Sequence, residues 1–530
     1  MTSLGTLASR VLGMVRDMAT AALLGMSSGG VMDAFVIAFR IPNLFRRLFG
    51  EGALTASYLP VLTEKLENDR PGAWQLASVT MTWLAMVLVV LVLVAEGVCG
   101  LLWFTLGDRE GMPLLLGLSA VLLPYSIFIC IAAQIAATLH ALSVFHVPAL
   151  VGIVLNVCWI VAAVLLAPAL TDDPHVQAYL LGGSVLVAGV LQVGVQLPAL
   201  YAHGFRFDYN VAAVRDSVHR IMAAMGPTML GLAVTQINTL MDSVIAWSLS
   251  ASPDHTGPVA WLGGVIDYPM RQGAAAAVYF GERMYQLPVG IFGVAVATVI
   301  FPLLSRHAAK GQHDKIGADL TLGLRLVVFL AVPAAAGLVL LAEPITRLLF
   351  ERGQWDPIED TPRTARMIAA YASGVWAYCA LPVMVRGFYA VGDYRTPVRV
   401  GALMVALNLS LNLTLIWPLG EHGLAVATAI AAAIQLCVLV AVFSRRQSHV
   451  PWGELFATAA RTTIATAVMV AIGIGVTGYL EPSPTTSGRL IGVFVPLVIC
   501  AAVYLPVVRL LGGHEAGMLL GRGRKDGKSS

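Results

Sequence analysis

Long apolar runs follow one another along almost the whole chain, and short polar connections separate them. Each run is long enough for a helix to cross a bilayer. The pattern predicts fourteen spans, at 4–25, 31–62, 74–106, 112–144, 147–170, 176–203, 217–249, 272–304, 320–350, 365–391, 398–417, 423–443, 455–480 and 490–508. The second is long and is interrupted by Pro42 and by Gly50-Glu51-Gly52.

Charge in the connections tests that count. With the N-terminus on the cytoplasmic side, the inner connections and the C-terminal tail hold seventeen basic residues and the outer connections six. Omitting one span would mix the two sets. The bias is the one that the positive-inside rule demands, and an even number of spans then puts both termini in the cytoplasm. The outer side also carries acidic loops, such as Thr171-Asp172-Asp173 and the stretch from Asp356 to Asp360.

Composition agrees. The 530 residues are 58% hydrophobic and 12% charged, where soluble domains are roughly a quarter charged, and the mean hydropathy is +0.80. A net charge of +3 gives no reason to expect nucleic acid. Arg10, Arg16 and Asp17 interrupt any apolar core of a cleavable signal. The six cysteines lie in apolar runs without a C-x-x-C pair, which predicts free buried thiols rather than a metal or disulfide site. No Walker loop, H-E-x-x-H or serine-nucleophile elbow is present, so ATP hydrolysis and proteolysis have no support and the chain reads as a transporter, not an enzyme.

Three landmarks recur at nearly one offset. Pro42 of R-I-P-N-L-F matches Pro288 of Q-L-P-V-G-I-F, 246 residues on. Pro60 matches Pro302, 242 on, and His140-Ala141 before Pro148 matches Tyr389-Ala390 before Pro397, 249 on. Parallel repeats are a transporter signature. The expected fold is therefore an all-α polytopic membrane protein of fourteen transmembrane helices, with two pseudo-symmetric six-helix lobes plus two C-terminal helices. The domains would be 1–203, 204–446, 447–511 for the last two helices, and a basic tail at 512–530.

The remaining ten basic residues fall inside spans or at their ends, and all are arginine. Charge inside a bilayer costs several kcal/mol, so it persists where it faces water or a partner. Asp33, Arg40 and Arg47 are seven apart and share a helical stripe, with Glu51 four beyond Arg47. Arg46 points roughly 140° away from Asp33 at 100° per residue and has no carboxylate in its own row. For Arg40 and Arg47 both structural ion pairing and ligand binding stand; Arg46 is the better ligand candidate. In the first span Arg10 and Asp17 are seven apart and Arg16 lies on another face. Guanidinium stays charged when desolvated and donates paired hydrogen bonds to phosphate, so several together suit a diphosphate. In the seventh span Thr235, Asn238 and Asp242 share a face that could hold Na⁺ or shuttle a proton; a hydrogen-bonded carboxyl is the alternative.

The stretch S-R-V-L-G-M-V-R-D from Ser9, the run D-A-F-V-I-A-F-R-I-P-N-L-F-R-R-L-F-G-E-G-A from Asp33, Y-L-P-V-L from Tyr58, Y-F-G-E-R-M-Y-Q-L-P-V-G-I-F from Tyr279 and G-F-Y-A-V-G-D-Y-R-T-P from Gly387 resemble the MurJ/MviN lipid II flippase family, in the multidrug/oligosaccharidyl-lipid/polysaccharide exporter superfamily. The resemblance implies two six-helix lobes in a V, two further helices forming a groove for a lipid tail, and export of undecaprenyl-diphosphate-linked disaccharide-pentapeptide across the bacterial cytoplasmic membrane. It implies cargo-binding arginines at Arg10, Arg16, Arg46 and Arg283, acidic cavity positions at Asp33 and Glu51, and in some members a sodium site that includes Asp242. Membrane lipids and proteins of cell-wall synthesis are the partners to be expected. Two other readings differ in what they require. A drug/cation antiporter of the same superfamily needs an acidic chamber where this chain has arginine. A polyprenyl-diphosphate glycosyltransferase needs a catalytic carboxylate on a large outer loop, and the longest outer connections are only about twenty residues.

Overall fold

The computed structural model describes residues 2–109, 111–252, 259, 266–446, 451–480, 483–515 and 517. Apart from a two-residue parallel pairing of Ser250–Ala251 with Met270–Arg271, its regular structure is helical. That pairing joins the two ends of the long connection at 251–271, whose middle lies largely outside the described residues.

Among the described residues ten helices are long and apolar enough to cross a membrane, or eleven if Asp360–Ala372 and Val375–Ala390, bent by 41°, form one span. The chain is thus a polytopic helical membrane protein. The expected spans at 4–25, 31–62 and 217–249 are not among these ten or eleven. They are helical all the same: Thr2–Leu24, the interrupted Val31–Phe45 and Ala53–Asn68, and Val211–Ser248. They are also the segments that carry Arg16, Arg40, Arg46, Arg47 and Asp242.

Two compact units divide the chain, Met1–Ala276 with Arg352–Asp356, and Ala277–Glu351 with Pro357–Ser530. In the first, Thr2–Leu24 packs along His146–Val161, and Val31–Phe45 along Met112–Leu122. Trp159 anchors the middle, with Phe35 and Phe39 edge-on at 5.4 and 4.8 Å. Val211–Ser248 lies against Ala53–Asn68 and Arg70–Leu106. The segment Arg352–Asp356 is tied to the first helix by Gln354 N donating to Ala22 O at 2.9 Å. Gly353 has φ +58°, and a Cβ there would lie 2.1 Å from that carbonyl, so the close approach needs glycine. In the second unit His313–Leu340 packs on Val375–Ala390 and on Trp452–Tyr479, which in turn packs on Thr486–Leu510. Tyr504 Oη donates to the Phe329 carbonyl at 2.6 Å within the smaller of its cores.

Element lengths recur along the chain. Val31–Phe45 and Ala274–Pro288 have 15 residues each and start 243 apart; Ala53–Asn68 and Val294–Ala309 have 16 each and start 241 apart. Between the 15-residue and the 16-residue helix of each copy the helix widens to π geometry, at Arg46–Gly52 and at Val289–Gly293. A π turn leaves the helical hydrogen-bond ladder out of register. In both places a thiol answers a carbonyl at the break: Cys130 Sγ lies 3.5 Å from Phe45 O, and Cys379 Sγ 3.7 Å from Pro288 O. All six cysteines are free, with Cys130, Cys379 and Cys500 buried, Cys99 and Cys158 half-buried and Cys437 exposed.

Candidate functional site: arginines along a broken helix

The second helix starts after Gly30, whose left-handed φ of +67° turns the chain into it. Asp33, in its first turn, is buried and accepts from the backbone N–H groups of Gly273 and Ala276, both at 2.7 Å. These are free donors at the start of Ala274–Pro288, and a carboxylate there satisfies them and complements the helix dipole. Asp33 therefore acts as an N-terminal cap for a helix far along the chain.

Arg40 is buried and donates from Nη1 to the Thr239 carbonyl at 3.0 Å. Arg46 opens the π stretch and donates from Nε and Nη2 to Asn43 Oδ1, at 3.0 and 2.7 Å. Arg47 donates from Nη1 to Gln236 Oε1 at 3.1 Å. Each of these bonds orients a guanidinium on a neutral oxygen. Arg46 and Arg47 are only half-buried. The side chain of Glu51 lies outside the described residues, so the expected Arg47–Glu51 pairing does too.

On the first helix Arg16 is buried and takes Asp17 as its partner, from Nε at 3.0 Å and Nη2 at 2.7 Å. Its Nη1 reaches Asn156 Oδ1 at 3.3 Å, and its guanidinium lies 4.6 Å from the centre of the Trp159 ring. Seven-residue spacing puts Arg10 and Asp17 on one face and Arg16 on another; in the structure Asp17 is nevertheless the partner of its neighbour Arg16. Arg10 is exposed. In the second unit Arg283 is half-buried, donates from Nη2 to Tyr279 Oη at 2.9 Å, and lies 4.9 Å from the centre of that ring.

The structure thus places Arg40 and Arg47 against the helix Val211–Ser248, with Arg46 beside them on the π stretch. Arg16 forms a separate cluster within the same unit. Arg283 is held locally in the other unit.

A family model described as "Lipid II flippase MurJ" matches residues 20–488. The chain is 33% identical to a probable lipid II flippase MurJ of Rhizobium tropici over 97% of its length and 94% of that protein's. It is 29% identical to the lipid II flippase MurJ of Burkholderia cenocepacia over 96% and 95%. The chain belongs to the MurJ lipid II flippase family. It is accordingly a multi-pass membrane protein of a bacterial transporter family, not an enzyme. A solved MurJ structure titled as the inward closed conformation superposes with a TM-score of 0.73 at 22% identity, covering 97% of this chain and 99% of that one. An inward-facing multidrug transporter of the MATE family superposes at 0.61 with 12% identity, covering 84% and 95%. Both likenesses concern the fold alone.

The MurJ model spans Arg40, Arg46, Arg47 and Arg283 and begins after Arg10 and Arg16. Several partners had escaped the sequence reading. Asn43 and Gln236 are uncharged, and a search for carboxylate rows passes over them; Thr239 contributes backbone, which no side-chain pattern reveals. Tyr279 was in plain view four residues before Arg283, at helical spacing. On the seventh helix Asp242 is buried and Asn238 half-buried, while the side chain of Thr235 lies outside the described residues. Among the described residues no group of three His, Cys, Asp or Glu could hold a metal ion.

Proposed function

We propose that this protein is a flippase that moves lipid II from the inner to the outer leaflet of the bacterial cytoplasmic membrane by alternating access. The observation that carries the reading is the placement of Arg46 and Arg47 on the π stretch Arg46–Gly52, braced by Asn43 and Gln236. Membership of the MurJ family supports the cargo. A diphosphate brings two adjacent anionic groups that guanidinium can bind through paired hydrogen bonds without itself losing charge. No covalent bond is made or broken.

In this reading Arg46 contacts the diphosphate, and Arg10, Arg16 and Arg283, the other arginines that the family resemblance implicates, bind cargo in the course of transport. Arg40 and Arg47 hold the seventh helix to the second. Asp33 sets where the helix bearing Arg283 begins, and Glu51 is an acidic position on the path. The fourteen spans are two lobes at 1–203 and 204–446, with 447–511 as two added helices and 512–530 as a basic tail. The recurring element lengths and the paired π breaks support that repeat, and the charge bias supports cytoplasmic termini. The row Thr235, Asn238 and Asp242 is where a coupling Na⁺ or H⁺ would act. It fits Na⁺ poorly: the Thr239 carbonyl in that row already binds the Arg40 cation, and no transport step is assigned to an ion.

The test is complementation of a strain depleted of its own flippase. Arg46→Ala and Arg283→Ala should each fail to support growth while inserting in the membrane at the wild-type level. Full growth with both overturns the reading.

A further inference from the structure

A second polar site lies away from the broken helix, within the second unit. A cavity of about 280 Å³ opens between the helix Ala342–Phe350, the end of Trp452–Tyr479 and the start of Thr486–Leu510. Leu340, Pro344 and Leu480 supply its apolar wall, and Arg347, Arg489 and Glu343 its charge. Helix ends are where a membrane protein meets the headgroup layer. Tyr479 beside the cavity is 92% exposed, as aromatic residues at that depth commonly are, and Ile491 and Val495 beyond it are exposed on the face that acyl chains would cover.

The charges are matched and yet incompletely used. Arg347 pairs through Nη2 with Glu343. Arg489 donates to the Arg347 and Glu351 carbonyls at 3.2 and 2.7 Å and pairs with Glu351 Oε2 at 3.0 Å. The Nε–H of each arginine is buried without a hydrogen-bond acceptor among the described residues, and that of Arg347 lies 3.9 Å from Glu351 Oε1. A buried donor left unsatisfied costs about 1–3 kcal/mol, so neither guanidinium is fully used by its protein partners, and the third of Arg347 that is exposed at the cavity can take an anionic oxygen. The four side chains Arg347, Arg489, Glu343 and Glu351 sum to zero charge, so a ligand of net negative charge would lack compensation. Glu343 is half-exposed and can also accept from an ammonium.

We propose that this cavity binds the headgroup of a zwitterionic phospholipid bearing a primary ammonium, a phosphoethanolamine lipid. The phosphate sits against the cavity-facing part of the Arg347 and Arg489 guanidinium groups, the ammonium faces Glu343, and the chains run down the exposed apolar face. The volume fits a headgroup rather than a whole lipid. Choline offers Glu343 no N–H, and phosphatidylglycerol brings no cation. Gly492 keeps the space open, since a Cβ there meets nothing within 4 Å. The site rests on its own geometry; only its assignment to the outer leaflet rests on the orientation proposed above.

The test is native mass spectrometry of the full-length protein released from nanodiscs containing equal parts of phosphatidylethanolamine, phosphatidylglycerol and phosphatidylcholine. The wild type should retain phosphatidylethanolamine about tenfold over each of the others, as two charge-assisted hydrogen bonds allow. Gly492→Leu, which fills the space and spares every ion pair, and Arg347→Gln should both reduce that retention to the phosphatidylcholine level. Equal retention of the three lipids by the wild type, or undiminished phosphatidylethanolamine in either variant, overturns the proposal. Displacement of the lipid by millimolar inorganic phosphate alone would assign the site to a free anion and overturn the lipid assignment. Since binding is read and not transport, a failure here leaves the flippase reading standing, and Arg46→Ala should leave this retention unchanged.

Discussion

Residues 31–68 and 274–309 are built to one plan and charged to different ones. Each has a 15-residue helix ending at or near a proline, a π stretch, and a 16-residue helix with a proline inside. Each break is met by a cysteine, Cys130 or Cys379, on a helix 249 or so residues from its counterpart. The first then carries Arg40, Arg46 and Arg47. At the proline offset of 246 the second has Gln286, Phe292 and Gly293 in their places, and its own arginine, Arg283, falls elsewhere. A Cβ on Gly293 would come 2.8 Å from Cys379 Cα, so the second π stretch is packed closely on its neighbouring helix. The break is therefore a property of the backbone plan, and the arginines are an addition to one copy of it. This separates what bends the helix from what would bind an anion.

The sharpest way to break that separation is to remove a polar side chain from each copy in turn. Arg46→Ala should lower lipid II flipping in proteoliposomes at least about a hundredfold, the cost of losing a charge-assisted pair to phosphate, whereas Gln286→Ala should leave it within about twofold, as substitutions away from a binding feature do. Equal losses would mean that the break alone, and not its charge, matters. Gln236→Leu removes the neutral brace of Arg47 and should slow flipping by roughly tenfold, one hydrogen bond to a charged group, while Gln236→Glu, which cancels the charge instead of orienting it, should slow it further. A smaller effect is expected on stability. Asp33→Ala strips the cap from Ala274–Pro288 and should cost about 1–2 kcal/mol in denaturant unfolding. Smallest of all, Cys130→Ala and Cys379→Ala should each cost under about 1 kcal/mol and should cost alike; a large difference would show that the two breaks are not equivalent.

A different use of arginine occurs at the end of the second unit. Arg325 pairs with Glu454 and with the buried Glu515, at 2.8 Å for the latter, and Thr458 Oγ1 donates to Glu515 at 2.7 Å. Burial pushes the Glu515 carboxyl up, but Arg325 and Thr458 outweigh it and hold it below the ordinary range. A carboxylate so depressed stabilises the fold above its unfolded-state value, and the contribution is lost as pH falls through the lower folded value. This clasp sets one arginine between two carboxylates and is structural, whereas Asn43 and Gln236 offer amide oxygens to Arg46 and Arg47.

The membrane class and the helical order were legible in the apolar runs, since a bilayer demands helices whose backbone groups are satisfied internally. The repeat was legible through Pro42 and Pro288, because proline leaves a mark at fixed spacing. Cys130 and Cys379 share that spacing and could have been read with it. Arg46 stood out because its helix row lacks a carboxylate. The partners were not legible: Asn43, Gln236 and the Thr239 carbonyl are neutral, and whether such groups meet a guanidinium depends on packing between helices distant in sequence. The role of Asp33 was hidden for the same reason, since the donors that it caps lie some 240 residues on.

The most direct measurement is native mass spectrometry of the protein purified from cells that make lipid II, repeated with Arg46→Ala. The wild type should carry a mass adduct equal to lipid II, and the variant, folded and inserted to the same extent, should have lost it. An undiminished adduct on the variant would contradict the claim that the charge on the first broken helix holds the diphosphate.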